Sequence, residues 1–359
     1  MAVEISDWND LDNVRNDLTA DYVLVNDLDS ETDGYAGIGD DWNPIGERAF
    51  DGDFYEGIFD GDGFGIRDLI VDDNDRSAAL FAGNRGPIND LSVKAEISTT
   101  SNDFNAAILT GEARGDLSNC VVHGTVFAPD LTEMGGLAGR CADDAIISDS
   151  YSTASVEGDS TVGGLVGRNG ETIQTSYATG SVEGGDDVGG LVGSAVASDE
   201  IDTYWDTEAT GQDTSAGDST GLTTAEMQGS EAETNMDGFD FTDVWDAVLE
   251  SDDDTTADGY PILLSVNRDN QLESQGILFP TADITGQITL DETGVDTADV
   301  IVFNLTNNEF AGKTETDTEG NYTLTVEGTE EDSGDTIAVA VDFDDGTERY
   351  GRVVTTVLE

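Results

Sequence analysis

Hydrophobic positions recur along the middle of the chain in two short alternating phrases. The first reads "SAALFAG" from Ser77, "NAAILTG" from Asn105, "MGGLAG" from Met134, and "VGGLVG" from Val162 and again from Val188. The second follows each copy: "INDLSVKAEI" from Ile88, "LSNCVVHGTV" from Leu117, "ISDSYSTASV" from Ile147, "IQTSYATGSV" from Ile173 and a decayed "IDTYWDTEAT" from Ile201. "IRDLIV" from Ile66 fits the same frame. Within the second phrase Leu91, Val93, Ala95 and Ile97 fall on one face, and Cys120, Val122, Gly124 and Val126 on that face one repeat later. Alternation with a period of two in such short runs predicts strands. Each unit of 26 to 30 residues is therefore two or three short strands separated by tight turns.

One such unit cannot bury its apolar face alone, whereas stacked copies can. Strand-turn-strand coils of this length predict an all-β fold, a right-handed parallel β-helix with short capping helices and about seven coils between Tyr22 and Trp205. Leucine-rich repeats would need a leucine ladder, helical repeats a 3.6-residue period, and a propeller longer strands in fours. The glycine pairs Gly135–Gly136, Gly163–Gly164 and Gly189–Gly190 read as Ala78–Ala79 and Ala106–Ala107 in the earlier copies. A position requiring positive φ rarely accepts alanine, so the requirement is smallness where backbones approach closely.

The ends of the repeat carry different patterns. In "SDWNDLDNVRNDL", Trp8, Leu11, Val14 and Leu18 follow helical spacing with Ser6 or Asp7 as N-cap, which predicts a capping helix within residues 1–20. The solenoid is assigned to residues 21–220, and a closing segment and linker to 221–276, in which "TTAEMQ" and "FTDVWDAVL" read as short helices or turns over the other end. Over residues 277–359, "ITGQITLDE", "DVIVFNL", "NYTLTVE", "TIAVAVDF" and "YGRVVTTVLE" alternate between turn residues and predict a small antiparallel β-sandwich.

Charge changes the picture most. The 359 residues hold 78 Asp and Glu against 13 Lys and Arg, a net charge of -65. Acid spread through every segment, with arginine favoured over lysine, is the composition of a protein soluble in multimolar salt, where charge is screened within about 3 Å. It repels phosphate backbones, so nucleic acid is excluded as a partner. The start "MAVEISDWND" has no secretory pattern and no apolar run approaches membrane-spanning length, so synthesis as a soluble cytoplasmic chain without membrane insertion is expected. Cys120 and Cys141 form no metal pattern and are expected as free thiols.

Candidate chemistry is sparse. Asp51, Asp53, Asp60 and Asp62 lie in "FDGDFYEGIFDGDGFGI", where Asp-Gly serves turn geometry. His123, the single histidine, has no nucleophile or acid pattern beside it, and Cys120 shares an inward column with Ser150 and Ser176. No enzyme activity and no cofactor are expected; surface acids could hold structural cations at most. The remaining candidate is a binding stripe of Tyr151, Tyr177 and Trp205, aligned with Val121 one coil apart and opposite in parity to Val122, Ser152 and Ala178. If the small residues face inward, the aromatics form an outer stripe suited to sugar rings or a protein partner. If the aromatics face inward, they are core.

"GGLVG…YATGSV…GGLVG" resembles the GLUG motif of bacterial and archaeal surface proteins, from residue 134 to about 265 including "TGLTTAEMQ…W…GYPILL". The resemblance implies a structural β-helix of the kind found in adhesins. "TDTEGNYTLTV", from Thr316, resembles the hairpin of carboxypeptidase-regulatory-like, transthyretin-like domains, which implies a non-catalytic module of Ig-like architecture. The whole is similar to appendage proteins of haloarchaeal viruses. This implies a virion structural protein (tail fibre, spike or capsid turret) on the particle surface. It would touch other virion proteins and a host surface glycoprotein or glycan, with self-association of the rods. The alternatives are a haloarchaeal cell-surface adhesin and a β-helix enzyme acting on polysaccharide.

Overall fold

The computed structural model describes residues 2–46, 53–72, 77–99, 105–252, 255 and 257–277, and the backbone of most strands between 281 and 357. The chain divides into two compact units, residues 1–251 with 257–276, and residues 252–256 with 277–359.

The first unit is a parallel β-helix. One wall contains, in spatial order, Val3–Ile5, Tyr22–Leu24, Phe59–Asp60, Ile88–Ser98, Leu117–Gly135, Tyr151–Ser152, Tyr177–Ala178, Tyr204–Asp206 and Thr220–Leu222. A second wall runs Phe81–Asn84, Thr110–Ala113, Ala138–Cys141, Val166–Asn169 and Val192–Ala195. Neighbours in both walls are parallel and follow one another in the chain. About five turns are complete, rather than the seven counted from the sequence. Among the described residues between Val25 and Ile58, Ile45 bridges Phe81 and Tyr55 bridges Asn84 of the second wall, and Gly39–Asp41 forms a 3-10 turn.

At one corner the coil repeats a residue in the left-handed region: Asp90, Asn119, Asp149, Thr175 and Asp202 have φ between 43° and 52°. Short polar side chains tolerate this conformation best. They also bond along the stack, Asn119 Nδ2 donating to Asp90 Oδ1 at 2.9 Å and Thr175 Oγ1 to Asp149 Oδ1 at 2.7 Å. Inside, Ser150 Oγ accepts from the Cys120 amide at 3.0 Å and Ser176 Oγ from the Ser150 amide at 3.2 Å, so this column is a buried polar relay. Cys120 and Cys141 are both free and buried, and burial pushes the Cys141 thiol up to about 12 and the Cys120 thiol higher still.

The glycine pairs mark a corner, and none of them has positive φ. A Cβ on Gly135, Gly163 or Gly189 would lie 2.0–2.3 Å from the carbonyl oxygen three residues on. One on Gly136, Gly164 or Gly190 would strike the opposite wall at Ser152, Ala178 or Trp205. The register corrects the sequence alignment by one position. Ala78 and Ala106 pair with the Met134 column, so only Ala79 and Ala107 correspond to the first glycine. The second glycine corresponds to Leu80 and Ile108, whose backbones continue the same ladder. The second glycine faces Ser152, Ala178 and Trp205 in successive coils, and only at Gly190 is the facing side chain an indole.

The helix Trp8–Asn13 forms as its spacing predicts, with Asp7 as N-cap accepting from the Asp10 amide at 2.8 Å. Trp8, Leu11 and Val14 enter the solenoid core. The strand Val3–Ile5 precedes it and belongs to the end coil. At the other end, Trp205 fills the last coil, its Nε1 donating to Gln212 O at 2.9 Å. The loop after it covers the wall edges through Val182 N to Thr210 O and Ala216 N to Val192 O.

In the second unit, Thr281–Gln287 pairs antiparallel with Asn321–Glu327. Glu309–Glu315, Asp299–Asn304, Thr336–Asp344 and Arg349–Val357 form an antiparallel sheet in that order.

Replacing Gly190 by alanine places a methyl 2.0 Å from Trp205 Cδ1. The Gly190→Ala variant is expected to lose about 1–3 kcal/mol by overpacking, readable as a lower denaturant midpoint with an unchanged slope.

Candidate functional site

The column predicted as a binding stripe is built from in-register positions on the first wall. Val121 pairs with Tyr151, Tyr151 with Tyr177, and Tyr177 with Tyr204. Ala178 pairs with Trp205. The structure therefore keeps Tyr151 and Tyr177 together, replaces Trp205 by Tyr204, and puts Trp205 in the inner core. The sequence alignment slipped because Ile201 looked like the counterpart of Ile173, whereas Glu200 occupies that position. The left-handed turn residues hold the true frame: Asn119, Asp149, Thr175 and Asp202 each stand two residues before the column.

The tyrosines point out of the coil, yet Tyr151 and Tyr177 are fully buried. They are covered by a strap formed by residues 223–250 and 257–276. Its helices Thr224–Met227, with a Thr223–Glu226 capping box, and Gly229–Asn235 lead into a hairpin of Trp245–Asp246 against Ile262–Leu263. Met227, Ala232, Met236, Phe239, Trp245, Leu263 and Val266 form a second apolar cluster with Val121 and the tyrosines. Tyr151 and Tyr177 stack with centroids 4.7 Å apart, the spacing of adjacent strands, and Trp245 tilts against both.

Each hydroxyl is spent on the strap. Tyr151 donates to Gln271 Oε1 at 3.1 Å, Tyr177 to Pro261 O at 2.6 Å, and Tyr204 to Asp237 O at 2.9 Å. Gln271 is buried and ties the hairpin to the helix Arg268–Gln275 through Leu263 N, Leu263 O and Val266 O. Burial raises all three phenols, Tyr204 to about 12. Buried Asp206 anchors the strap's start and accepts from Tyr260 and Thr224 hydroxyls, both at 2.6 Å.

Residues 223–250 and 257–276 run back along the side of the solenoid, while Thr220–Leu222 pairs with Tyr204–Asp206 as the last strand of the first wall. Asn267 N donates to Gly63 O at 2.9 Å, and Glu273 pairs with Arg67 at 3.4 Å and Lys94 at 3.8 Å, all on early coils. An outward row of large aromatics has too much apolar surface to leave in water, and the strap covers it with an apolar face of its own.

Of the polar candidates, Asp60 and His123 make structural contacts. Asp60 Oδ1 accepts from the Asp62 amide and Asn89 Nδ2, a turn role; Asp51 lies outside the described residues. His123 is buried at the edge of the covered column, its Nδ1 2.7 Å from Thr153 Oγ1 and its ring edge-on to Tyr151. Burial, helped by Lys94, pulls it down to about 3. Among the described residues no group of three His, Cys, Asp or Glu side chains could hold a metal, and no helix is long and apolar enough to cross a membrane.

This geometry describes a β-solenoid whose conspicuous aromatic column is internal. Residues 158–183, one coil of it, match the family model of the GLUG motif. The chain is 29% identical over 286 residues to Halomucin of Haloquadratum walsbyi (strain DSM 16790 / HBSQ001). That alignment covers 67% of this chain and 3% of that protein, so the chain spans only a small part of the relative's length. No solved structure matches the chain.

Two outcomes follow. Tyr177→Phe removes the bond to Pro261 and is expected to cost about 1 kcal/mol, while Tyr177→Ala, which opens the second cluster, costs about 3–5 kcal/mol; urea unfolding of both variants checks the order. Stability is also expected to fall with acid. The unfolded chain protonates His123 below about pH 6.5, but the folded chain resists until about 3. Stability from neutral His123 is thus complete above pH 6.5 and declines by up to about 1.4 kcal/mol per pH unit through that window. Asp17 and Asp68, whose hydrogen-bonded carboxyls are lowered, add their loss only in the carboxylate range. Between pH 6.5 and 5 the decline should flatten in His123→Gln.

Proposed function

We propose that this chain is a non-enzymatic surface module of a halophilic archaeon, a rigid solenoid that serves a structural or adhesive role at the cell envelope. The observation that carries the reading is the similarity to Halomucin, a cell-surface protein of a halophile, across two thirds of this chain. The GLUG coil supports it, since the motif builds structure and brings no chemistry. The site geometry agrees: Asp60 serves a turn, Ser150 and Ser176 the inner relay, and Tyr177 the strap. The net charge of -65 supports the same setting, because such a surface stays hydrated in concentrated salt.

The comparison favours the cell-surface alternative over the virion appendage expected from sequence. The envelope reading implies that antibody raised against the solenoid labels intact haloarchaeal cells and that external protease removes the label. Recovery of the protein only in density-purified virus particles, with an unlabelled envelope, would reverse this assignment.

A further inference from the structure

The protein has few cations, and the side chains described place most of them against acids. Arg15, Arg67, Arg85, Lys94, Arg114, Arg168 and Arg268 each have a carboxylate partner. Arg140 is the exception among the described residues. It lies on Ala138–Cys141 of the second wall, half-buried, with Ala138 and Cys141 turned into the core on either side.

Its neighbours sharpen the anomaly. Arg140 is in register with Arg168 on the next parallel strand and with Glu112 on the preceding one. Glu112 is buried and engaged by Arg114 at 3.0 Å. Arg168 spends NH1 on Glu133 at 3.2 Å and leaves the rest of its guanidinium half-exposed. The next residue in the column is Ser194, half-exposed, whose hydroxyl bonds to no described group. Two like charges directly opposite on adjacent strands are destabilising. A chain with 78 acids and 13 bases has set two of its bases side by side, one of them without a carboxylate partner among the described residues.

We propose that Arg140 and Arg168 form a receptor for an oxyanion, the carboxylate or sulfate group of an acidic glycan. The two planar forks offer paired N–H donors to one anion, and a shared anion removes the repulsion between them. Ser194 supplies a further hydroxyl at the end of the row. The position suits concentrated brine. Long-range attraction is screened there within about 3 Å, so only contact pairs with several hydrogen bonds discriminate. The row also repeats at the strand interval of roughly 4.8 Å, so successive acidic groups of a polymer lying along the solenoid axis can meet successive coils. The glycan as the source of the anion rests on the surface reading; the oxyanion site itself does not.

The test is calorimetric titration of the purified full chain in molar KCl with oligogalacturonate, inorganic sulfate, poly-glutamate and an uncharged oligoglucoside. Saturable binding of oligogalacturonate is expected, at least tenfold weaker in Arg140→Gln and in Arg168→Gln and unchanged in Arg85→Gln. Tighter binding of oligogalacturonate than of sulfate identifies the glycan as the source, while equal binding keeps the oxyanion site and assigns it to free ions. Poly-glutamate binding as tightly as oligogalacturonate would overturn the glycan in favour of acidic protein. No saturable binding of any anion, or equal affinity in wild type and both variants, would overturn the site. A second readout needs no ligand: Arg140→Gln should melt no lower than wild type, because it relieves a like-charge pair, and a clearly lower melting temperature would show Arg140 to be structural.

Discussion

Each coil of this solenoid buries its apolar face only against the coil before it and the coil after it. Backbone bonds between coils hold them at one strand spacing, and every position therefore becomes a column of like positions. The consequences run through the molecule. Serines relay bonds down an inner column, aspartates and asparagines repeat the left-handed turn, and tyrosines stack ring on ring. A residue is judged by its column: Gly190 is small because the facing column has reached Trp205.

The same constraint explains the strap. Columns on the inside of the coil find partners automatically, and columns on the outside do not. A tyrosine column facing outward needs a separate cover, which residues 223–250 and 257–276 provide with a second apolar cluster. The cover is specific as well as apolar, since three phenol hydroxyls and Gln271 pair across it. Burial without full pairing also occurs there: His123 Nε2 and Trp245 Nε1 have no partner in the buried layer.

In a chain this acidic the informative residues are the few bases. Arg67 and Lys94 fasten Glu273, and Arg268 fastens Asp246, so three cations hold the strap. Arg85 and Arg114 lie over the ring of Phe54 at 4.5 and 4.6 Å. Cations assigned to structure are paired or stacked, and Arg140 is notable because it is neither.

Periodicity in the sequence determined the coil, because alternation over a repeated interval admits few other ways to bury the same positions. It also placed the helix at Trp8–Asn13 and the need for small residues at the glycine corner. It did not determine register to the residue. Ala106 and Ile201 were plausible matches for columns they do not occupy, and only the hydrogen-bonded ladder separates plausible from actual. Tertiary structure alone decided the fate of the tyrosines. Alternation shows that a side chain leaves the coil but not what waits outside it, and the cover lies as far as 120 residues along the chain, where Gln271 meets Tyr151. Local pattern carries the contacts that repeat with the coil; the strap is made once, so its contacts leave no period to read.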